Sequence, residues 1–389
     1  MEKLQGGLLA VSGYTGMQLT NDEQVPFAQE ATFWYLTGIE FPNWWVIIDA
    51  KRQKTWLVEP GIDAQHRIFE ESLLQDTARK ISGINDIISK DEALSMLRTA
   101  ARAHPLVHTV DLPDNSEHFG FSLNPATREL KDTLSRIFKT VRDFRLEIAK
   151  LRAIKQTCEI EWMQAAINLT GNAIKSVRET LPKYTYEYQI EADISRTFRY
   201  TGASGHAFYP IVSSGSNTAT VHYFSNNSRL KKGAPLMLDI GARVNGYAAD
   251  ITRTLAVGQP TKRLEQIHAA VQSAQAEIIK LLKPGLSVVE YHHKVDDIMK
   301  HQLIELKLIV GSGDDTLYRQ LFPHAVSHGL GIDVHEALGR PAVFLPGMVL
   351  TVEPGIYLQK EKFGVRIEDD ILITDKGHKN LSAKLSTDL

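Results

Sequence analysis

A single cysteine, Cys158, stands in 389 residues, so no internal disulfide can form and a disulfide-built scaffold is excluded. That usage suits a reducing compartment, and a cytoplasmic location is expected. Long apolar runs are missing too: no stretch approaches the ~20 residues that a membrane-spanning helix needs. The N-terminal MEKLQGGLLAVSGYTG carries an acidic residue early and only a short apolar core, which does not read as a signal peptide. Neither sign of charge dominates. The formal net charge is −2, so neither nucleic acid nor a membrane surface is indicated as a partner. Short-period repeats and low-complexity tracts are absent.

What is present is the balance of a globular protein, 43% apolar and 23% charged, with length for two domains. Four of the five tryptophans fall in the first 60 residues. There LLAV (8–11), FWYL (33–36), WWVIID (44–49) and TWLV (55–58) alternate with Gly, Pro, Asn and Asp, and read as short strands. Helical spacing follows in DEALSMLRTAARAH from Asp91 and PATRELKDTLSRIFKTVRDF from Pro125. Residues 1–145 are therefore expected to form an α/β domain. A second unit, 146–389, opens with apolar residues at helical spacing and a helix start at Thr157 with Glu161 beyond it. It continues with a helix in YEYQIEADISRTFRYTG, strands around 207–212, a hairpin, a long helix in LEQIHAAVQSAQAEIIKLL and a strand-rich close over 343–374.

The hairpin, LMLDIGARVNGYAADITRTLA (236–256), places two aspartates among Leu, Ile, Ala and Val. Asn245-Gly246 is a strong signal for a two-residue type I′ turn. With those two residues as the loop, Val244 faces Tyr247 and Gly241 faces Asp250. Asp239 then shares a sheet face with Asp250 and lies diagonal to it, roughly 7–8 Å away at the backbone. Two like charges so placed repel unless a cation lies between them. Alone, such a pair also fits one solvated edge aspartate and one turn cap.

PHAVSHGLGIDVHE supplies His324, His328 and His335, with Gly329 and Gly331 giving a backbone that can approach a ligand or metal closely. PGMVLTVEPGIY and GVRIEDDILIT each put a glutamate, Glu353 and Glu368, in a strand-like setting. By the two-residue period Arg366 and Glu368 share one face, and Val365 and Ile367 point the other way. Asp369 and Asp370 read as strand-surface residues. Four carboxylates and one imidazole carry about the charge that two divalent cations neutralise. An oxygen-dominated set with one nitrogen favours a hard ion such as Mn²⁺. Two such ions can deprotonate one water, and metal-assisted hydrolysis is the natural chemistry.

LDIGARVNGYAADITRT, HAVSHGLGIDVHE, LTVEPGIY and VRIEDDILIT, in that order, resemble the pita-bread metallopeptidases, and within them the aminopeptidase P and prolidase branch. FWYLTGIEFPNWWVIID is similar to the N-terminal domain of aminopeptidase P proteins. The resemblance implies an α+β architecture: a C-terminal pita-bread (creatinase/aminopeptidase) domain and a smaller α/β N-terminal domain. It implies that two divalent ions, Mn²⁺ first and Co²⁺, Zn²⁺ or Fe²⁺ as alternatives, are held by Asp239, Asp250, His328, Glu353 and Glu368, with Asp250 and Glu368 bridging. A hydroxide between the ions would attack the bond before a proline in second position. Glu353 would also shuttle its proton, His335 would stabilise the oxyanion and His222, in TVHY, would stand near the leaving group. His324, Tyr357 and Arg366 would shape the proline pocket. A homodimer or homotetramer is implied as well.

Three other readings compete. A prolidase cutting Xaa-Pro dipeptides uses the same chemistry and must hold a terminal carboxylate, for which Arg366 is available. Methionine aminopeptidase shares the metal core, but the N-terminal domain and the Tyr357/Arg366 pair count against it. A non-catalytic binding module on the same fold is disfavoured because all five ligand positions are filled.

Overall fold

The computed structural model describes residues 2–4, 7–61, 66–69, 71–113, 120–311, 313 and 315–389. The chain divides into two compact units, Met1–Ile148 and Ala149–Leu389. No helix among the described residues is long and apolar enough to cross a membrane.

The first unit is built on a six-stranded mixed sheet in the order Asp86–Ser89, Lys54–Glu59, Trp45–Asp49, Leu8–Ser12, Leu106–Thr109, Thr140–Asp143. Leu8–Ser12, Trp45–Asp49 and Lys54–Glu59 pair antiparallel, and the outer strands join parallel. Helices Lys90–Ala103 and Ala126–Ile137 follow the expected patterns, the first closed by a Ser89–Glu92 capping box. FWYL departs from expectation. It is not a strand but the body of a helix, Ala31–Thr37, in which the Glu30 side chain caps the Phe33 N–H and Gly38, at φ 68°, ends the turn. Capping at both ends outweighs the β-propensity of the aromatics. Phe33 is fully buried with Val46 and Leu57 in the same core.

In the second unit the sheet that matters for the site is antiparallel, with Pro235–Ile240 between Ile211–Ser214 and Ile251–Ala256. A second sheet joins Val349–Val352, Asp369–Thr374 and Gly377–Asn380, and Gly355–Leu358 pairs with Phe363–Arg366 in a hairpin. Helices Thr157–Thr180, Glu187–Tyr200, Lys262–Leu281 and Val288–Glu305 surround them in sequence. The first does begin at Thr157, but its capping pair is Gln156 with Glu159 rather than Thr157 with Glu161. Leu264, Ile267 and Val271 of the third share a core with Val352, Ile356, Val365, Ile367 and Ile371. That core fixes the orientation of the strands whose opposite faces carry the acidic residues.

The hairpin register is the one counted from the sequence. Val244 pairs with Tyr247 and Thr252 with Asp239, and the Ala249 N–H bonds the Ala242 carbonyl between them at 3.0 Å, which puts Asp250 opposite Gly241. Asn245 and Gly246 have φ of 47° and 79°, as a type I′ turn demands. A side chain at Gly246 is strained by about 1–2 kcal/mol. Gly246→Ala is accordingly expected to lower the melting temperature of the second unit by roughly 2–8 °C in differential scanning calorimetry.

Candidate metal centre

Four segments converge on one cavity of about 760 Å³ lined by Asp239, Asp250, His328, Glu353, Arg366 and Glu368, among others. Asp239 comes from the central strand and Asp250 from the end of its neighbour. Glu353 follows Val349–Val352, where its N–H bonds the Val326 carbonyl at 2.9 Å. Glu368 sits between two strands, its N–H on the Thr252 carbonyl at 3.0 Å. His328 is held by its own N–H on Thr351 Oγ1 (3.2 Å) and by its carbonyl, which accepts from the Thr351 N–H at 3.0 Å.

The donors face one another. One ligand atom each from Asp250, His328 and Glu368 lie within 4.8 Å of one another. His328 Nε2 is 3.5 Å from Asp250 Oδ2 and 3.3 Å from Glu353 Oε1. His328 Nδ1 faces the Gly329 carbonyl at 3.0 Å, an acceptor only, so Nδ1 carries the proton and neutral His328 presents the Nε2 lone pair to the cluster. Asp239 gives one oxygen to the Arg366 guanidinium, while its buried Oδ1 has no hydrogen-bond partner among the described residues.

The electrostatics follow from this crowding. Burial, and then the neighbouring carboxylates, push Asp250 and Glu368 well above the usual carboxylate range. Burial would raise Glu353 too, but His328, His324 and Arg366 outweigh it and hold its carboxyl below the ordinary value. His328 is raised in turn: Glu353 overcomes the burial that opposes its charge. A donor set of buried, mutually repelling carboxylates, one neutral imidazole nitrogen and an orphaned aspartate oxygen fits divalent cations of hard character.

Around this set stand the remaining candidates. The His335 ring lies 4.4 Å from that of His328, edge to face. His324 accepts from the Tyr357 hydroxyl at 2.8 Å, and Arg366 donates to the same phenol oxygen. Burial pushes the Tyr357 phenol up to about 12, so it stays protonated at neutral pH. Tyr357, only 1% exposed, reaches the site through His324 and Arg366. His222 is exposed on the cavity wall, stacked on Phe224 with ring centroids 5.9 Å apart.

Two expectations need correction. Asp369 and Asp370 do not lie on the surface; they are 3% and 0% exposed. Asp369 pairs with Arg253 at 2.6 Å, and an Asp370 oxygen accepts the Asp250 N–H at 3.2 Å. The second sheet packs on the first there, so both faces of Asp369–Thr374 are covered. Gly329 and Gly331 do not make room for a ligand. A Cβ at Gly331 would lie 2.3 Å from a Glu336 carboxylate oxygen, and one at Gly329 2.3 Å from the Glu336 carbonyl. Two site residues carried no signal of their own. Thr252 donates to Glu368 at 2.7 Å and accepts from Arg366 at 3.2 Å, and Thr351 reaches Glu353 at 3.4 Å. Counting the hairpin register to its end would have found Thr252 opposite Asp239.

With this geometry the comparisons with known proteins agree. The family model of metallopeptidase family M24 matches residues 161–375, and that of the aminopeptidase P N-terminal domain matches 1–108. The chain belongs to metallopeptidase family M24. It is 29% identical to an Xaa-Pro aminopeptidase of Escherichia coli, over 99% of this chain and 92% of that one. With an Xaa-Pro aminopeptidase of Haemophilus influenzae it shares 32% over 95% of this chain and 88% of the other. The solved aminopeptidase P of E. coli with the inhibitor Pro-Leu superposes with a TM-score of 0.86 at 27% identity, covering 98% of this chain and 92% of that one. The fold is thus the α+β arrangement of an aminopeptidase P N-terminal domain and an M24 pita-bread domain.

The raised carboxyls set the expected response to metal and pH. Asp250 and Glu368 bind protons more tightly folded than unfolded, so in chelated protein their contribution is present at low pH and lost as pH rises through their raised values. Thermal melts across pH are expected to show the chelated protein falling progressively below the Mn²⁺-loaded one as pH rises. Asp250→Asn is expected to shrink that gap.

Proposed function

We propose that the chain is an Xaa-Pro aminopeptidase, hydrolysing the bond between an N-terminal residue and a following proline with two divalent ions, Mn²⁺ first among them. The observation that carries this reading is the buried cluster of Asp250, His328 and Glu368 on the cavity floor, in a chain whose relatives bear that activity. Asp239, Asp250, His328, Glu353 and Glu368 would hold the ions. When bound, such ions polarise the scissile carbonyl and lower the pKa of water, supplying a nucleophile near neutral pH.

The chain's own groups supply the rest. Glu353, ionised at neutral pH and 3.3 Å from His328 Nε2, is placed to take a proton from the attacking water and pass it to the leaving nitrogen. His335 is held below its ordinary pKa by burial and then by His328, so it is neutral at pH 7 and can donate one N–H to a developing oxyanion. His222, exposed on the cavity wall and in no ion pair among the described residues, would stand near the leaving group. His324, with its Nε2 taken by Tyr357, presents a ring edge and face toward a proline ring.

Arg366 counts against the prolidase reading. It is 2% exposed, and its guanidinium is engaged by Asp239, Tyr357 and Thr252, so capturing a dipeptide carboxylate would cost those bonds. The proposal extends to a cytoplasmic, homodimeric or homotetrameric enzyme; the first part rests on cysteine usage and the second on family resemblance. The deciding test is a Mn²⁺-supplemented panel of an Xaa-Pro dipeptide, a longer peptide with proline second and a matched peptide with alanine second. Release of the first residue from the longer proline peptide alone is expected. Cleavage of the dipeptide alone would make the protein a prolidase, and inactivity on all three with no bound metal by elemental analysis would leave a binding module. Glu353→Gln is expected to lower kcat by about 10²–10⁴-fold on the cleaved peptide.

A further inference from the structure

Directly after His335 the chain buries a second charged cluster that the reaction as described does not use. Glu336 is 4% exposed, and its two oxygens are taken by Lys155 Nζ at 2.7 Å and Arg152 Nη2 at 2.8 Å. Both cations are themselves buried, Lys155 at 5% and Arg152 at 7%. Arg152 also reaches Asp333, a more exposed carboxylate, at 2.7 Å. Two positive and two negative groups therefore balance within the chain. The carboxylate has a further partner, the Ile332 N–H at 2.9 Å, and the Glu336 N–H bonds the Gly329 carbonyl at 2.8 Å.

These bonds close the loop 329–336 on a single residue, Glu336, through its backbone N–H at Gly329 and its carboxylate at Ile332. One end is tied to Gly329, the residue after His328; the middle is tied at Ile332; and His335 leaves the far end with its ring 4.4 Å from His328. Gly331 has no side chain because Glu336 occupies that space. The loop is also pinned to the acidic hairpin, since Arg243 donates to the Ile332 carbonyl at 2.6 Å and the Ala248 N–H to that of Gly331 at 2.8 Å. Lys155 is fixed independently, its N–H on the Gly347 carbonyl at 2.9 Å and its ammonium on that of Arg152 at 2.8 Å.

We propose that Glu336, clamped by Arg152 and Lys155, is a positioning residue that sets the His335 ring against His328 and the metal cluster. An exposed histidine on a glycine-containing loop would otherwise sample many positions, and a group that must meet an oxyanion gains from being held. The clamp is buried and charged, and both Glu336 oxygens are bonded by buried cations, which restricts the carboxylate to one position. This inference rests on the proposed role of His335 in the reaction.

A double-mutant cycle on the full-length, Mn²⁺-loaded protein tests it, using a peptide with proline second. Glu336→Gln keeps the shape and removes the charge; it is expected to lower kcat by about 10–100-fold with KM and bound metal little changed. In a His335→Ala background the same substitution is expected to have almost no further effect on kcat. Full additivity of the two losses overturns the inference while leaving His335 in the reaction. An unchanged kcat in His335→Ala alone overturns both the role of His335 and the positioning built on it. If Glu336→Gln does not fold, Arg152→Lys carries the cycle, since it keeps the charge but its shorter side chain ends before the Nη2 position from which Arg152 bonds both Asp333 and Glu336. The same non-additivity is then expected, with additivity again the overturning result.

Discussion

The constraint on which the second unit turns is the mutual repulsion of Asp239, Asp250, Glu353 and Glu368 around one cavity. Carboxylates a few ångströms apart in a poorly solvated site interact far more strongly than in water. Among the described residues they are met by one full cation, Arg366, which bonds Asp239. His328 lies between Asp250 and Glu353, and the hydrogen bond of its Nδ1 leaves the opposite nitrogen free for a ligand role. The repulsion shows in the raised carboxyls of Asp250 and Glu368. Much of the surrounding architecture serves to hold this arrangement together: two sheets joined where Glu368 meets Thr252, and strands locked by the apolar core on their far side.

The same unit shows how its other buried carboxylates are treated. Asp369 meets Arg253, and Glu336 meets Lys155 and Arg152. Glu187, fully buried and without a cation, accepts instead from the Ser214 N–H and hydroxyl, Asn217, Tyr223 and the Ser228 N–H. Buried carboxylates are ordinarily satisfied in one of these two ways. Two buried carboxylate oxygens, Oδ1 of Asp239 and Oδ1 of Asp370, have no hydrogen-bond partner among the described residues, and of the two residues Asp239 lines the cavity, where a bound cation would complete it.

Much of this was legible in the sequence because it depended on local rules. The Asn245-Gly246 turn fixed the hairpin register, and the two-residue period then put Asp239 and Asp250 on one face. Ordered motifs identified the histidines and glutamates before any geometry was known. What escaped depended on partners far along the chain. Asp369 and Asp370 look solvated by composition and are buried only because Arg253 and Asp250 lie against them, more than a hundred residues away. Gly329 and Gly331 read as room for a ligand because Glu336, whose carboxylate fills the space at Gly331 and whose backbone carbonyl fills that at Gly329, has no local signature. FWYL failed for the opposite reason: its helix is decided by Glu30 and Gly38 just outside the aromatic run.

Arg366 connects the two halves of the proposed chemistry. It bonds Asp239 on the metal side and the Tyr357 hydroxyl on the other, and Tyr357 donates on to His324. A relay in which each donor direction is fixed has little freedom: the guanidinium can only donate, so the phenol proton is directed to His324 Nε2 and the imidazole directs its own single N–H, at Nδ1, to the Ala325 carbonyl 2.8 Å away. The orientation of the ring proposed to read proline is thereby tied to the same residue that offsets the charge of Asp239. Displacing Arg366 would disturb both at once, which is why a buried, fully engaged guanidinium is better suited to organising this site than to catching a substrate carboxylate.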